Sequence, residues 1–171
     1  MSIISIIRNR IYLWKRERWI KSVRVTAKKC GRDLKVNWPT GINSNTELGN
    51  NVNFNGLTVG GNGRIVIGDN FHSGTDCMIV TNTHNYDHGT AIPYDDVDIE
   101  KEVIIEDNVW IGNRVIILGG THLHEGCIIQ AGSVVVGDIP YCSIAGGHPA
   151  KVFKMRDIEH YEILKEQGLF M

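Results

Sequence analysis

The sequence predicts a mainly β chain: a parallel solenoid of about five stacked coils, preceded by a helix and followed by a short one. Three observations carry this. Residues Ile105 to Pro140 divide into six consecutive blocks of six, opening at Ile105, Ile111, Ile117, Leu123, Ile129 and Val135. Four places into each block stands a small or β-branched residue: Val109, Val115, Thr121, Cys127, Ser133 and Ile139. Gly, Asn or Asp crowds the places between. A fixed internal period is the mark of a repeat architecture. With two of every six positions facing inward, no strand buries a core by itself. Three short strands bent at Gly, Asn and Asp corners close a roughly triangular coil of about eighteen residues, and stacked coils bury one another's aliphatic side chains.

Residues 1–29 form a basic N-terminal segment. Ile3, Ile7, Ile11 and Trp14 keep helical spacing among Arg8, Arg10, Lys15, Arg16, Arg18 and Lys21, which predicts a helix. Two readings stand. The helix caps the open end of the solenoid, whose apolar cross-section needs a cover. Alternatively, it lies on an anionic membrane surface as a peripheral contact, Ile and Trp among acyl chains and Lys and Arg at headgroups.

The solenoid is expected over 30–156. Blocks open at Cys30, Val36, Ile42, Leu48 and Phe54, with Leu34, Thr40, Thr46, Val52 and Thr58 inside. Around Gly60-Gly61-Asn62-Gly63 the phase slips by one residue, then resumes at Ile67, Ser73 and Ile79 with Phe71, Cys77 and Thr83 inside. Asn50, Asn70, Asn108 and Asn113 suit corners, because Asn tolerates the left-handed backbone region. The five coils are 30–47, 48–66, 67–84, 105–122 and 123–140. Residues 85–104 interrupt them as a protruding loop, and loops of that length in compact domains are usually functional. Residues 157–171 hold the C-terminal helix.

The formal charge of −1 hides an asymmetry. Residues 1–35 carry eleven Lys or Arg against Glu17 and Asp33, a balance of +9, so the remainder carries −10. Cys30, Cys77, Cys127 and Cys142 make no CxxC pair, which points to reduced thiols in a cytoplasmic protein. No apolar run approaches the ~18–20 residues of a membrane span, and no signal peptide is evident. No nucleic-acid partner is expected.

These repeats, followed by Ala131-Gly-Ser133, Asp138-Ile-Pro140 and Ala145-Gly-Gly-His-Pro149-Ala-Lys151, resemble the left-handed parallel β-helix acyltransferases. That group includes the maltose, galactoside and xenobiotic acetyltransferases and the O-acetyltransferases of bacterial surface polysaccharides. The match covers residues 30 to about 156. Left-handed winding is what the resemblance implies; periodicity alone does not give it.

The resemblance implies acetyl transfer from acetyl-CoA, with sites between the subunits of a homotrimer. A hydroxyl is a poor nucleophile until a base takes its proton, and a neutral imidazole does this for roughly 10²–10⁴ in rate. The family's base is a His at the root of the loop, and His84 matches it. His88 is the rival inside the loop, and Asp87 is a candidate to orient the base or to contact substrate. For acetyl-CoA the matching positions are Trp110, Asn113, Ala131, Val136, Gly137, Lys151 and Lys154. Trp110 to Asn113 would meet the thioester and its developing oxyanion, and the lysines the phosphates. The family often has Thr-Lys where this chain has Val136-Gly137, so only backbone contacts are expected there.

His122 and His124 project from the same side of a strand. They do not fit the three-histidine zinc spacing of solenoids resembling γ-class carbonic anhydrases, so no metal is expected. His72, His148 and His160 read as surface or corner residues. The expected function is O-acetylation of a sugar hydroxyl in bacterial surface-polysaccharide (lipopolysaccharide, capsule or exopolysaccharide) assembly, with a carbohydrate acceptor, in the cytoplasm or at the inner face of the membrane. The alternatives are a xenobiotic or antibiotic acetyltransferase, a sugar-amine N-acetyltransferase, or a non-catalytic or metal-binding β-helix protein.

Overall fold

The computed structural model describes residues 2–171. Helix α1 (Ile3–Thr26) opens the chain, with Ser2 as its N-cap accepting from the Ser5 N–H. Coil one follows through β1 (Lys29–Cys30), β2 (Lys35–Val36) and β3 (Thr40–Gly41). Coil two holds β4 (Thr46–Leu48), β5 (Asn53–Phe54) and β6 (Leu57–Gly60), and coil three β7 (Ile65–Ile67), β8 (His72–Ser73) and β9 (Cys77–Val80). The chain then leaves the stack for β10 (Asn82–His84) and β11 (Asp98–Glu100). It returns for coil four, with β12 (Val103–Ile105), β13 (Trp110–Ile111) and β14 (Ile116–Leu118). Coil five is β15 (His122–Leu123), β16 (Ile128–Ile129) and β17 (Val134–Val135).

Three parallel sheets make the three faces. Face A stacks β1, β4, β7, β12 and β15; face B stacks β2, β5, β8, β13 and β16; face C stacks β3, β6, β9, β14 and β17. Leu48, Ile67, Ile105 and Leu123 form the inner column of face A, each no more than 2% exposed. Full burial of a side chain of this size is worth about 1.5–3 kcal/mol. Phe54 and Phe71 meet edge to face at 5.9 Å in the wide second and third coils.

A sixth, incomplete coil extends the expected five. Ile139 bridges Leu123 on face A, and β18 (Ser143–Gly147) pairs with β16 on face B. Ala145 sits beside Ile129, sixteen residues on, whereas Ile129 lies eighteen beyond its partner Ile111. Ile139 likewise lies sixteen beyond Leu123 while Val135 keeps eighteen from Ile117, so the shortening falls at Val136-Gly137-Asp138 and takes the last coil out of the sixfold phase. Strand β19 (Ala150–Met155) folds back antiparallel on β18, closing that edge.

The phase slip has two parts. Thr40 pairs with Leu57, seventeen residues on, and Leu57 with Cys77, twenty on. A residue is therefore lost before β6 and two are gained after it. Leu57 takes the buried place expected of Thr58, which is exposed. Thr81, not Thr83, is buried; its hydroxyl donates to the Gly60 carbonyl and accepts from the Gly63 N–H. The stack resumes two residues before Ile105, because Val103 is buried and pairs with Ile65.

Asn70 and Asn108 do occupy the left-handed region, at φ 57° and 59°. At the other two corners the residue that does so is Asn51 and Arg114, one place beyond the expected Asn50 and Asn113. The A–B edge carries a side-chain ladder: Asn51 donates to Asn70 (3.0 Å), Asn70 to Asn108 (2.9 Å), and Asn108 to Glu125 and the Tyr161 hydroxyl. Tyr161 belongs to α2 (Ile158–Glu166), capped by Asp157, and lies buried on that edge.

Helix α1 covers the first coil with its C-terminal part only. Val23 is buried, Trp19, Ile20 and Ala27 pack on the core, and Trp19 meets Trp38 edge to face. Ile3, Ile7, Ile11 and Trp14 stay exposed. Among the described residues no helix is long and apolar enough to cross a membrane.

Candidate active site

The regular coils end at Thr81, and the next three residues become β10, paired antiparallel with β11. This pairing makes the root of the excursion rigid. His84 stands opposite Asp98, and its Nδ1 lies 3.0 Å from Asp98 Oδ1. One face of the imidazole stacks on Tyr94 at 3.9 Å, nearly parallel. A carboxylate at Nδ1 holds the proton there and leaves the lone pair on Nε2, the arrangement a general base needs. Both side chains are about half exposed, 50% and 55%.

The loop beyond is organised by Asp95. Its carboxylate accepts from the N–H groups of Thr90 and Val97 and from the Asn85 side chain, each at 3.1 Å. The Val97 N–H above all holds its pKa below the usual carboxylate value. Asp87 and His88 are exposed in the same loop, and the carboxylate that meets His84 is Asp98. Asp98 escaped the sequence reading because it lies fourteen residues from His84, and only the antiparallel return brings them together.

A groove of about 720 Å³ runs along face B and the B–C edge. Trp110, Asn113 and Ala131 line it, as do Trp38, Asn55 and His72. Trp110 projects outward from β13 and is 51% exposed. Asn113 also ties two coils together, its Oδ1 accepting from the Thr75 N–H at 2.9 Å. His72, read from sequence as a surface residue, is half-buried here, with Nε2 3.1 Å from the Asn55 amide nitrogen. Burial, and then the charge of Lys35, lowers its pKa, which favours the neutral ring. Phe153 of β19 closes one end of the groove and Tyr12 of α1 lies along it.

His84 is not among the groove's lining residues: it stands off the edge between faces C and A. Val136 is exposed beyond β17 and Gly137 half-buried beside it, while Lys151 and Lys154 are exposed on β19. A single chain thus brings Trp110, Asn113 and Ala131 together and holds His84 apart from them.

Residues 102–137 match the family model described as bacterial transferase hexapeptide (six repeats). A Schizosaccharomyces pombe protein named "Putative acetyltransferase" is 40% identical over 96 residues, which is 56% of this chain and 44% of that one. The chain therefore spans less than half of that relative. Among solved structures, a galactoside acetyltransferase in complex with coenzyme A superposes with TM-score 0.73 and 28% identity, covering 84% of this chain and 73% of that one. A hexapeptide-repeat acetyltransferase from Vibrio cholerae, complexed with acetyl coenzyme A, gives TM-score 0.70 and 27% identity over 81% and 76% of the two chains. By its repeat and its fold, the chain is a hexapeptide-repeat β-solenoid protein that resembles the acyltransferases built on that solenoid, the galactoside acetyltransferase among them.

Proposed function

We propose that this protein is an acetyl-CoA-dependent O-acetyltransferase acting on a carbohydrate hydroxyl, with His84 as general base. The observation that carries the reading is the His84–Asp98 pair at the rigid root of the single excursion from the solenoid. Acetyl-CoA supplies the acetyl group as a thioester. Nε2 of His84 takes the acceptor's proton while the acceptor oxygen bonds to the acetyl carbon. The imidazolium, stabilised by Asp98, then returns the proton to the departing sulfur, giving an ester and free CoA thiol. Backbone N–H groups in the Trp110 to Asn113 stretch are the donors proposed for the oxyanion.

The separation of His84 from the groove supports a site shared between copies, and we assign the working unit as a homotrimer. In it, His84 of one subunit faces the groove of the next, Ala131, Val136 and Gly137 border the pantetheine arm, and Lys151 and Lys154 meet phosphates. The groove's mix of Trp38 and Trp110 with the polar groups of Asn55 and His72 suits a sugar, which presents apolar C–H faces and hydroxyls together. Work on surface glycans in the cytoplasm, beside the membrane, is the setting we assign. The exposed Ile3, Ile7 and Ile11 beside Arg8, Arg10 and Lys15 support it.

The test is a thiol-release assay with acetyl-CoA against sugars, nucleotide sugars, lipid-linked glycans and amines. Turnover with a hydroxyl acceptor is expected, falling at least about a hundredfold in His84→Ala while CoA binding persists. Near-normal turnover in that variant would sink the assignment.

A further inference from the structure

Away from the groove and from His84, three ligand-bearing side chains converge on the outside of the solenoid. Strands β12 and β15 run parallel with Ile104 beside His122 and Ile105 beside Leu123, so Glu106 comes level with His124. Leu123 points into the core, which turns His122 and His124 outward together, and their rings stack at 3.9 Å. Glu106 Oε1 lies 2.7 Å from His122 Nε2 and 3.3 Å from His124 Nδ1. Its other oxygen, Oε2, accepts the Glu125 N–H at 2.8 Å, which fixes the carboxylate plane and leaves Oε1 facing the imidazoles. One donor atom from each of the three residues lies within 4.8 Å of the others.

We propose that Glu106, His122 and His124 form a binding site for a divalent transition-metal ion, zinc or a close relative, which clamps coil four to coil five. Two imidazole nitrogens and one carboxylate oxygen are a borderline donor set, suited to Zn²⁺, Co²⁺, Ni²⁺ or Cu²⁺ rather than to Mg²⁺ or Ca²⁺. Bonds of about 2.0–2.1 Å in tetrahedral array put donor atoms roughly 3.3–3.4 Å apart. The Glu106–His124 separation is already 3.3 Å, and the Glu106–His122 separation of 2.7 Å opens to that value with a small rotation of the glutamate. The three side chains are 29–38% exposed, so a hydrated ion has a path in and water can hold the fourth position. Glu125 supplies the outer contact that orients a metal carboxylate. Sequence spacing concealed the site because its third ligand lies sixteen residues before His122, one coil away in the stack.

The experiment uses the full chain, without a histidine tag, stripped with chelator and titrated with Co²⁺ and then Zn²⁺. Expected are one Co²⁺ per chain, visible absorption of four-coordinate cobalt, its displacement by Zn²⁺, and a zinc-dependent rise in the melting midpoint. His122→Gln with His124→Gln, and separately Glu106→Gln, should weaken binding at least about tenfold and abolish the midpoint rise. Melting of each variant without metal verifies its folding. Cobalt bound equally by wild type and a folded variant, or no binding by wild type, would overturn the proposal.

Discussion

Asp98→Asn is the substitution that most directly probes how the imidazole is held. The Nδ1–Oδ1 separation of 3.0 Å describes one hydrogen bond to a charged acceptor, and such bonds contribute about 1.5–3 kcal/mol. Since about 1.36 kcal/mol corresponds to a factor of ten in rate, full loss predicts a ten- to hundredfold fall in kcat. Half exposure of both side chains places the expectation near the lower end, about tenfold. If Asp98 positions His84 as proposed, KM for acetyl-CoA should not change. A double-mutant cycle separates this role from simple support of the β10–β11 hairpin. If Asp98 works through His84, then Asp98→Asn costs nothing further once His84→Ala is present. Steady-state thiol release with the acceptor found in the panel, plus a melting curve for each variant, is the assay. Turnover within twofold of wild type in Asp98→Asn, or penalties that multiply in the double variant, would refute the reasoning.

Three further outcomes follow from the packing. Gly49→Ala would put a Cβ 2.7 Å from the Gly68 carbonyl carbon and 2.8 Å from the Asp69 N, backbone atoms of the next coil, so a loss of about 1–3 kcal/mol is expected. Gly41→Ala meets nothing within 4 Å and should stay within about 0.5 kcal/mol; equal denaturant midpoints for the two would contradict this account of the corners. In a native thiol titration Cys30, which is half-buried, should react first, and the buried Cys77, Cys127 and Cys142 only on unfolding. Burial pushes the Cys127 thiol up to about 12 from an ordinary 9.0. Its folded-state pKa is the raised one, so its contribution to stability is full below about 9 and is lost as pH climbs through about 12. Cys127→Ala should flatten that alkaline slope in pH-dependent melting.

Sequence period speaks for neighbours along one strand and for the column eighteen residues away, and the solenoid was legible on those terms. Leu57 taking the place of Thr58 was not, because a lost residue at Asn55-Gly56 and a gain of two near Gly61 leave the net slip of one that the sequence displays. The sixth coil hid behind the shortened span from Ile129 to Ala145. The position of His84 at the root of the excursion was readable from where the period stops. Asp98 and Tyr94 were not, since their partnership with it depends on how the excursion folds back. Helical spacing revealed α1 but not where its cover ends. Val23 and Trp19 pack on coil one, while Ile3 and Ile7, equally apolar, extend past it.

Ile67 pairs with Ile105 across thirty-eight residues as regularly as Leu48 pairs with Ile67 across nineteen. Between them the Lys101 N–H donates to the Thr81 carbonyl, closing the excursion at its neck. The scaffold therefore senses only the neck, and the length and composition of what lies beyond are invisible to the stack. Lengthening a closed loop costs only about 0.6 kcal/mol per doubling. Segments of different size can be exchanged above the His84–Asp98 pair without retuning the coils beneath. The architecture is thus a socket: the coils below the neck keep their pairing whatever length of chain stands above it.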